Sequence, residues 1–207
     1  MRFSRPGFLI RLFSDLVDLR LPDPPSAPPQ LGEAPESTAM VAPLWTDRVL
    51  AYRRLWALAV TVFTLDQLSK TWIVAKLDYP TYWPNEGAIT VIDGFFYLVH
   101  VGNTGAAWSL FAGQSSILAL LAGITLLGIF FWRRHLGLHD RRVQISFGLL
   151  CGGIVGNFFD RLLHGHVIDF LDFHFGDYIY PTFNFADIGI CIGVLLYLWH
   201  SFREPAN

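Results

Sequence analysis

Four stretches of mainly apolar residues follow one another along the chain, at residues 55–77, 115–132, 143–163 and 183–202. Each is close to the length of about 20 residues that a helix needs to cross a hydrocarbon layer of about 30 Å. The pattern therefore predicts four transmembrane helices. Only the second stretch is free of charged residues, and the charges in the others are candidates for function because charge inside a membrane is costly.

The distribution of arginine predicts how these helices are oriented. Loops 78–114 and 164–182 contain no Lys or Arg, whereas the opposite helix ends carry Arg48, Arg53, Arg54, Arg133, Arg134, Arg141, Arg142 and Arg203. Because loops rich in Lys and Arg remain in the cytoplasm, we expect both termini to be cytoplasmic. The two loops without Lys or Arg then lie outside.

The first outer loop has the pattern of a β-hairpin. Residues 88–92 and 95–101 are rich in β-branched and aromatic residues, and the Asp93-Gly94 pair between them is typical of a tight turn. The fold class predicted is therefore an all-α membrane protein with four transmembrane helices and a small extracytoplasmic β-sheet.

The N-terminal region differs from the rest. Residues 8–17 have apolar residues at helical spacing, interrupted by Arg11 and Asp15, and residues 22–43 are rich in proline. We interpret residues 1–46 as a poorly ordered cytoplasmic tail and residues 47–203 as the membrane domain. An alternative is that translation begins at Met40.

The overall composition agrees with a membrane protein. Hydrophobic residues make up 53% of the chain and charged residues 15%, whereas globular domains have about 25% charged residues. The net charge of -2 argues against a nucleic-acid partner. The two cysteines, Cys151 and Cys191, lie in apolar runs and are interpreted as packing residues.

The first and third stretches contain polar residues that favour a structural role. Asp66 and Lys70 are four residues apart, so we expect a neutralising pair with Lys70 extended toward the surface. The third stretch has small residues every four positions and then polar ones: Gly148, Gly152, Gly156, Asn157, Asp160 and Arg161. Such glycines allow close helix packing, and Arg161 is expected to donate to backbone carbonyls or a carboxylate.

Asp169 and Asp187 differ because neither has a Lys or Arg three or four positions away. A short loop joins the third and fourth stretches, so both carboxyl groups can converge at the outer rim. Two nearby carboxyl groups share a proton, which is the arrangement of an aspartyl protease. The alternative is that both merely cap helix starts and loops.

A metal site is a weaker hypothesis. His164, His166, Asp169 and His174 offer suitable ligand types, but their spacing fits no closed zinc motif. The sequence predicts neither a metal nor an organic cofactor.

Several motifs in order resemble the bacterial lipoprotein signal peptidases, also called signal peptidase II. They occupy residues 66–70 (DQLSK), 103–107 (NTGAA), 152–161, 166–170 (HVIDF) and 183–187 (FNFAD), within a similarity that covers residues 55–200. Trp108, where the family more often has Phe, and the N-terminal tail depart from the family pattern.

The resemblance implies an intramembrane-type aspartyl endopeptidase in the bacterial inner membrane, active at the outer face. It implies removal of the signal peptide from prolipoproteins on the N-terminal side of the diacylglyceryl-modified cysteine. The catalytic pair falls on Asp169 and Asp187. Supporting, structural or substrate-contacting roles fall on Asn157, Asp160, Arg161, Asn184, Asn103, Gly105, Asp66 and Lys70. We expect a monomer whose partners are these substrates and membrane lipids.

Two other functions use the same residues. In a proton-coupled transporter, Asp66, Asp160 and Asp187 would form a relay, but residues 115–132 and 188–199 contain no Asp, Glu, His, Lys or Arg to continue it. In a non-catalytic assembly subunit, the aspartates would only cap helices.

Overall fold

Four helices form the main body of the structure, a computed structural model that describes residues 50–106 and 110–203. They are α1 (Arg53–Lys76), α2 (Ser115–Trp132), α3 (Arg141–His164) and α4 (Phe185–Arg203). Within this described part, α2, α3 and α4 are long and apolar enough to cross a membrane. Helix α1 is 24 residues long but more polar, so its crossing remains a prediction. The tail and Trp108 lie outside the described residues.

Helix α3 is central, because α1, α2 and α4 all pack against it. Its glycines face the neighbours so closely that a Cβ on Gly152 would lie 2.7 Å from the carbonyl oxygen of Ala59 in α1. A Cβ on Gly153 would overlap the carbonyl oxygen of Ala186 in α4. The predicted close packing along this glycine ridge is therefore confirmed, since no side chain fits between these backbones.

The helix bundle has an arginine end, where Arg133, Arg134, Arg141 and Arg142 lie, and an opposite end, which we call the sheet end. A four-stranded antiparallel sheet lies at the sheet end. Its strands, in spatial order, are β1 (Ile89–Ile92), β2 (Phe96–Asn103), β3 (Val167–Phe175) and β4 (Tyr178–Ile179). The β1–β2 hairpin confirms the prediction for the first outer loop. Strand β3 was not predicted, and it pairs with β2 so that Asp169 lies opposite Val101.

The chain passes from α3 into β3 at a glycine. Gly165 has a φ of 73° and its amide donates to the carbonyl oxygen of Arg161, so it ends the helix in a conformation that favours glycine. Strand β3 is then held by an apolar cluster in which Ile73 and Leu77 of α1 contact Phe170 and Leu171. The position of β3 relative to the helices is thus fixed by buried packing.

Replacing Gly152 by Ala tests the close approach of α1 and α3. Because the new methyl group meets backbone, Gly152→Ala should lower the free energy of unfolding by about 1–3 kcal/mol, measured by denaturation in detergent micelles. Gly123→Ala in α2 is the matched control, since its Cβ would have no neighbour nearer than 3.8 Å. Equal stability of both variants would contradict the packing described.

Candidate active site

Asp169 lies on β3, 3% exposed, with both carboxyl oxygens hydrogen-bonded. Its Oδ2 accepts from Nδ2 of Asn103 on β2 at 3.0 Å, and its Oδ1 accepts from Nδ2 of Asn184 at 2.6 Å. Burial, and next the charge of Asp187, raise the pKa of the Asp169 carboxyl to about 7. The carboxyl group therefore retains its proton to near neutral pH.

Asp187 lies in the first turn of α4 and forms a capping box with Asn184. The backbone amide of Asp187 donates to Oδ1 of Asn184 at 3.0 Å, and the amide of Asn184 donates to Oδ2 of Asp187 at 3.2 Å. Oδ1 of Asp187 also accepts from Nδ2 of Asn157 at 2.7 Å. Asp187 therefore caps the start of α4, which was the alternative to a catalytic role. Capping does not prevent its carboxyl group from also taking part in proton transfer.

Asn157 and Asn184 connect the two carboxyl groups. Nδ2 of Asn184 is 3.2 Å from Oδ1 of Asn157, while each asparagine also donates to one aspartate. The structure thus brings together Asp169 and Asp187, as the sequence predicted, and fixes each through amide groups. A carboxyl pair of this kind can hold one proton between a general acid and a general base.

Lys70 occupies a position that the sequence prediction described wrongly. It does not extend to the surface but is 1% exposed. Its Nζ lies 2.7 Å from Asp66, 2.7 Å from Asp160 and 3.0 Å from Oδ1 of Asn157, which uses all three of its N–H donors. The reason is that Asp160, on the adjacent helix, offers a second buried carboxylate that the helical spacing of α1 does not reveal.

Asp160 and Arg161 have different partners, although they are adjacent in sequence. Asp160 pairs with Lys70 and accepts from the backbone amide of Ile168 at 3.1 Å. Arg161 donates to the carbonyl oxygens of Gly105 at 2.9 Å and Asn157 at 3.3 Å. Arg161 was expected to donate to backbone carbonyls or to a carboxylate, and in the structure it donates to backbone carbonyls.

Gly105 belongs to the segment that follows β2. Its amide donates to Oδ1 of Asn103 at 2.9 Å, and a Cβ there would lie 2.8 Å from the carbonyl oxygen of Leu110. The backbone can approach this closely only at glycine. Asn103 and Arg161 therefore hold Gly105 beside Asp169.

Gln67 is a site residue that the sequence analysis missed. Its Nε2 donates to Oδ1 of Asp160 at 2.9 Å and lies 3.2 Å from Oδ2 of Asp66. It stands inside the motif at residues 66–70, but an uncharged side chain gave no reason to single it out.

Two cavities meet at Asp169. One, of about 460 Å³, opens between helices and carries apolar α4 residues such as Ile188 and Ile192 together with Asp187. The other, of about 550 Å³, is more polar and extends over Tyr82, Thr104 and Gly105 on the sheet side. Asp169 thus lies where an apolar cavity and a more polar cavity meet, and Asp187 lines the apolar one.

The possible metal ligands do not assemble. His174 pairs with Asp172 at 2.6 Å, and His166 stacks on Tyr79. Within residues 50–106 and 110–203, no group of three or more His, Cys, Asp or Glu could hold a metal ion.

Comparison with known proteins shows the family of this chain. The profile of the family described as signal peptidase (SPase) II matches residues 58–203. A lipoprotein signal peptidase of Bacillus pumilus (strain SAFR-032) is 37% identical over 141 residues, which are 68% of this chain and 87% of that protein. One of Thermosynechococcus vestitus (strain NIES-2133 / IAM M-273 / BP-1) is 42% identical over 148 residues, 72% of this chain and 90% of that protein.

Two solved structures of bacterial membrane enzymes have a similar fold. A bacterial membrane enzyme determined by the in meso method at 2.3 Å resolution has a TM-score of 0.63 and 27% identity, and the match covers 73% of this chain and 93% of that chain. A second, at 1.9 Å resolution, has a TM-score of 0.59 and 28% identity over 72% and 92% of the two chains. The fold and the sequence match agree, and the chain belongs to the signal peptidase II family.

Proposed function

We propose that Asp169 and Asp187 are the catalytic dyad of this enzyme. The observation that carries the proposal is a buried carboxyl group, Asp169, whose pKa is raised to about 7 beside a second carboxyl group at the junction of two cavities. As a signal peptidase II, the chain is an aspartic endopeptidase. It removes the signal peptide from prolipoproteins on the N-terminal side of the diacylglyceryl-modified cysteine.

The chemistry needs one proton on the pair. The ionised aspartate takes a proton from a water molecule as the water oxygen bonds to the scissile carbonyl carbon, while the protonated aspartate donates to the carbonyl oxygen. When the tetrahedral intermediate collapses, the carbon–nitrogen bond breaks and the cysteine nitrogen receives a proton. The products are a signal peptide with a new carboxylate and a lipoprotein with a free amine.

The surrounding residues favour this single-proton state. Four carboxyl groups, Asp66, Asp160, Asp169 and Asp187, face two cations, Lys70 and Arg161. Lys70 is paired with Asp66 and Asp160, so Arg161 is the one cation of this set left for the two carboxyl groups of the dyad. A proton is therefore retained there in preference to a second buried negative charge.

We assign supporting roles from the contacts. Asn103, Asn157 and Asn184 orient the dyad by donating to its carboxyl oxygens. Arg161 fixes the backbone at Gly105 beside the dyad. The remaining supporting residues, Asp66, Lys70 and Asp160, join the helices that carry it.

The two cavities suggest how the substrate lies. The cavity with Ile188, Ile190 and Ile192 suits the apolar parts of the substrate, which remain in hydrocarbon. The polar cavity beside Gly105 suits the polypeptide after the cleavage site. All dyad and supporting residues come from one chain, so a monomer is sufficient for catalysis.

The placement in the membrane follows from the arginine pattern. We infer that α1 is the fourth span, since it lies against α3 along its length and Lys70 neutralises its buried charge. The arginine end then faces the cytoplasm, with both termini and the tail of residues 1–46, and the dyad lies at the outer face of the inner membrane.

Both carboxyl groups should be required for cleavage. Asp169→Asn and Asp187→Asn should each reduce kcat at least about a hundredfold, because asparagine cannot hold or transfer the proton. Cleavage of a diacylglyceryl prolipoprotein peptide by purified protein, followed by mass spectrometry of both products, measures this. Asp177→Asn, in the exposed turn between β3 and β4, is the control. Near-normal turnover in either dyad variant, with the protein folded, would refute the assignment.

The activity should fall as pH rises through about 7, where the dyad loses its retained proton. In the folded protein the pKa of the Asp169 carboxyl group is raised from 3.8 to about 7. Protonation of this group therefore contributes fully to the free energy of unfolding below pH 3.8, and the contribution is lost as pH rises through about 7. Profiles of kcat/KM and thermal unfolding against pH test both statements.

Two histidines near the sheet provide controls for the profile of kcat/KM. His166→Gln and His174→Gln should each keep the alkaline limb, because neither residue holds the shared proton. Loss of the limb in either histidine variant would assign the titration elsewhere.

Lys70→Met should lower the free energy of unfolding by about 3–5 kcal/mol, since it leaves Asp66 and Asp160 buried without their cation. Lys76→Met removes the same charge from the exposed end of α1 and should change stability little. Chemical denaturation in detergent compares them. If the two variants unfold alike, Lys70 is not the residue that joins α1 to α3.

A further inference from the structure

A third cavity lies at the arginine end of the bundle, away from the dyad. It has a volume of about 610 Å³, within the range of small-molecule sites of about 300–1,000 Å³. Its walls are apolar and come from α1, α2 and α3, including Leu55, Ala59, Leu126, Ile129 and Val155. Neither the dyad nor its supporting residues take part in it.

The cavity exists because α1 and α2 are not packed together. Both helices pack on α3, but among the described residues no substantial contact joins α1 to α2. The lining residues run from Ala51, two residues before α1, to Ala59 within it, which spans about 12 Å at the helical rise per residue. That depth is close to the thickness of one leaflet, about half of a 30 Å hydrocarbon core.

The mouth of the cavity carries positive charge. Arg133, Arg134 and His139 line it, and none of the described Asp or Glu residues does. Nη1 of Arg133 donates to the carbonyl oxygen of Phe130 at 2.7 Å, and its guanidinium lies 4.8 Å from the Phe130 ring, so the side chain is held in place. Its other guanidinium N–H donors have no partner among the described residues. The backbone carbonyl of Arg134 accepts from the amide of Gly137 at 3.2 Å, but within residues 50–106 and 110–203 its guanidinium group has no hydrogen-bond or ion-pair partner.

We propose that this cavity binds one anionic phospholipid of the adjacent leaflet. An acyl chain fills the apolar gap between α1 and α2, and the phosphate accepts hydrogen bonds from Arg133 and Arg134. Apolar walls below and paired guanidinium groups at headgroup level complement a lipid of this kind. The lipid then fills the gap that the described residues leave between α1 and α2.

Photo-crosslinking in native membranes identifies the occupant. A photoreactive amino acid replaces Leu126, which lines the cavity, in the full chain, and the adduct is identified by mass spectrometry. The control position is Leu127, which is 58% exposed and outside the cavity lining. The share of anionic phospholipid among the lipid adducts should be clearly larger when the photoreactive residue replaces Leu126 than when it replaces Leu127.

Charge variants test the headgroup contact. Each arginine near a membrane surface contributes about fivefold to binding of anionic lipid, so Arg133→Gln with Arg134→Gln should reduce the enrichment at Leu126 about 25-fold. Arg141→Gln with Arg142→Gln removes the same charge from two exposed residues at the start of α3, outside the cavity lining, and should leave the enrichment at position 126 unchanged.

Three results would overturn the proposal. They are an adduct with a peptide from residues 1–49, an adduct with a second copy of the chain, and a lipid composition at Leu126 equal to that at Leu127. Cleavage activity is a separate readout, so failure of this site does not bear on the dyad.

Discussion

The ammonium group of Lys70 is the contact on which the arrangement of helices depends. It lies among carboxylates of α1 and α3, and the other oxygen of Asp66 accepts from the backbone amide of Ala186 at the start of α4 at 2.9 Å. One buried polar cluster thus joins three helices. Buried charges are tolerated only when paired and hydrogen-bonded, so the cluster restricts the helices to the spacing that its short distances require.

The glycines of α3 make that spacing possible. Because no side chains separate α3 from α1 and α4, Asn157 reaches Lys70 through its Oδ1 and Asp187 through its Nδ2. The same side chain therefore belongs to the structural cluster and to the surroundings of the dyad. Asp187 likewise both completes the capping box of α4 and contributes a carboxyl group, so stability and chemistry depend on shared contacts.

The sequence predicted most features that arise from local patterns. The apolar stretches, the Asp93-Gly94 turn and the glycine ridge each carry a periodic or short-range signal, and the structure confirms the helices, the hairpin and the close packing. Asp169 and Asp187 stood out because they have no neutralising residue nearby in sequence. The motifs at residues 66–70, 103–107, 152–161, 166–170 and 183–187 indicate the family from the sequence alone.

Features that depend on distant partners were not predictable in this way. Strand β3 exists because β2 pairs with it, and Lys70 is buried because α3 brings Asp160 to it. Gln67 is uncharged, and its role appears only once Asp160 lies beside it. The cavity at the arginine end reflects how α1 and α2 separate on α3, which no single-helix pattern records.

Infrared spectroscopy of the purified protein in lipid tests the shared proton most directly. The carbonyl-stretching band of a protonated carboxyl group should be present at acid pH and disappear with a midpoint at about 7. That component of the spectrum should be absent or strongly shifted in Asp169→Asn and in Asp187→Asn. A titrating band that both variants leave unchanged would contradict the account, since the proton would then reside on another group.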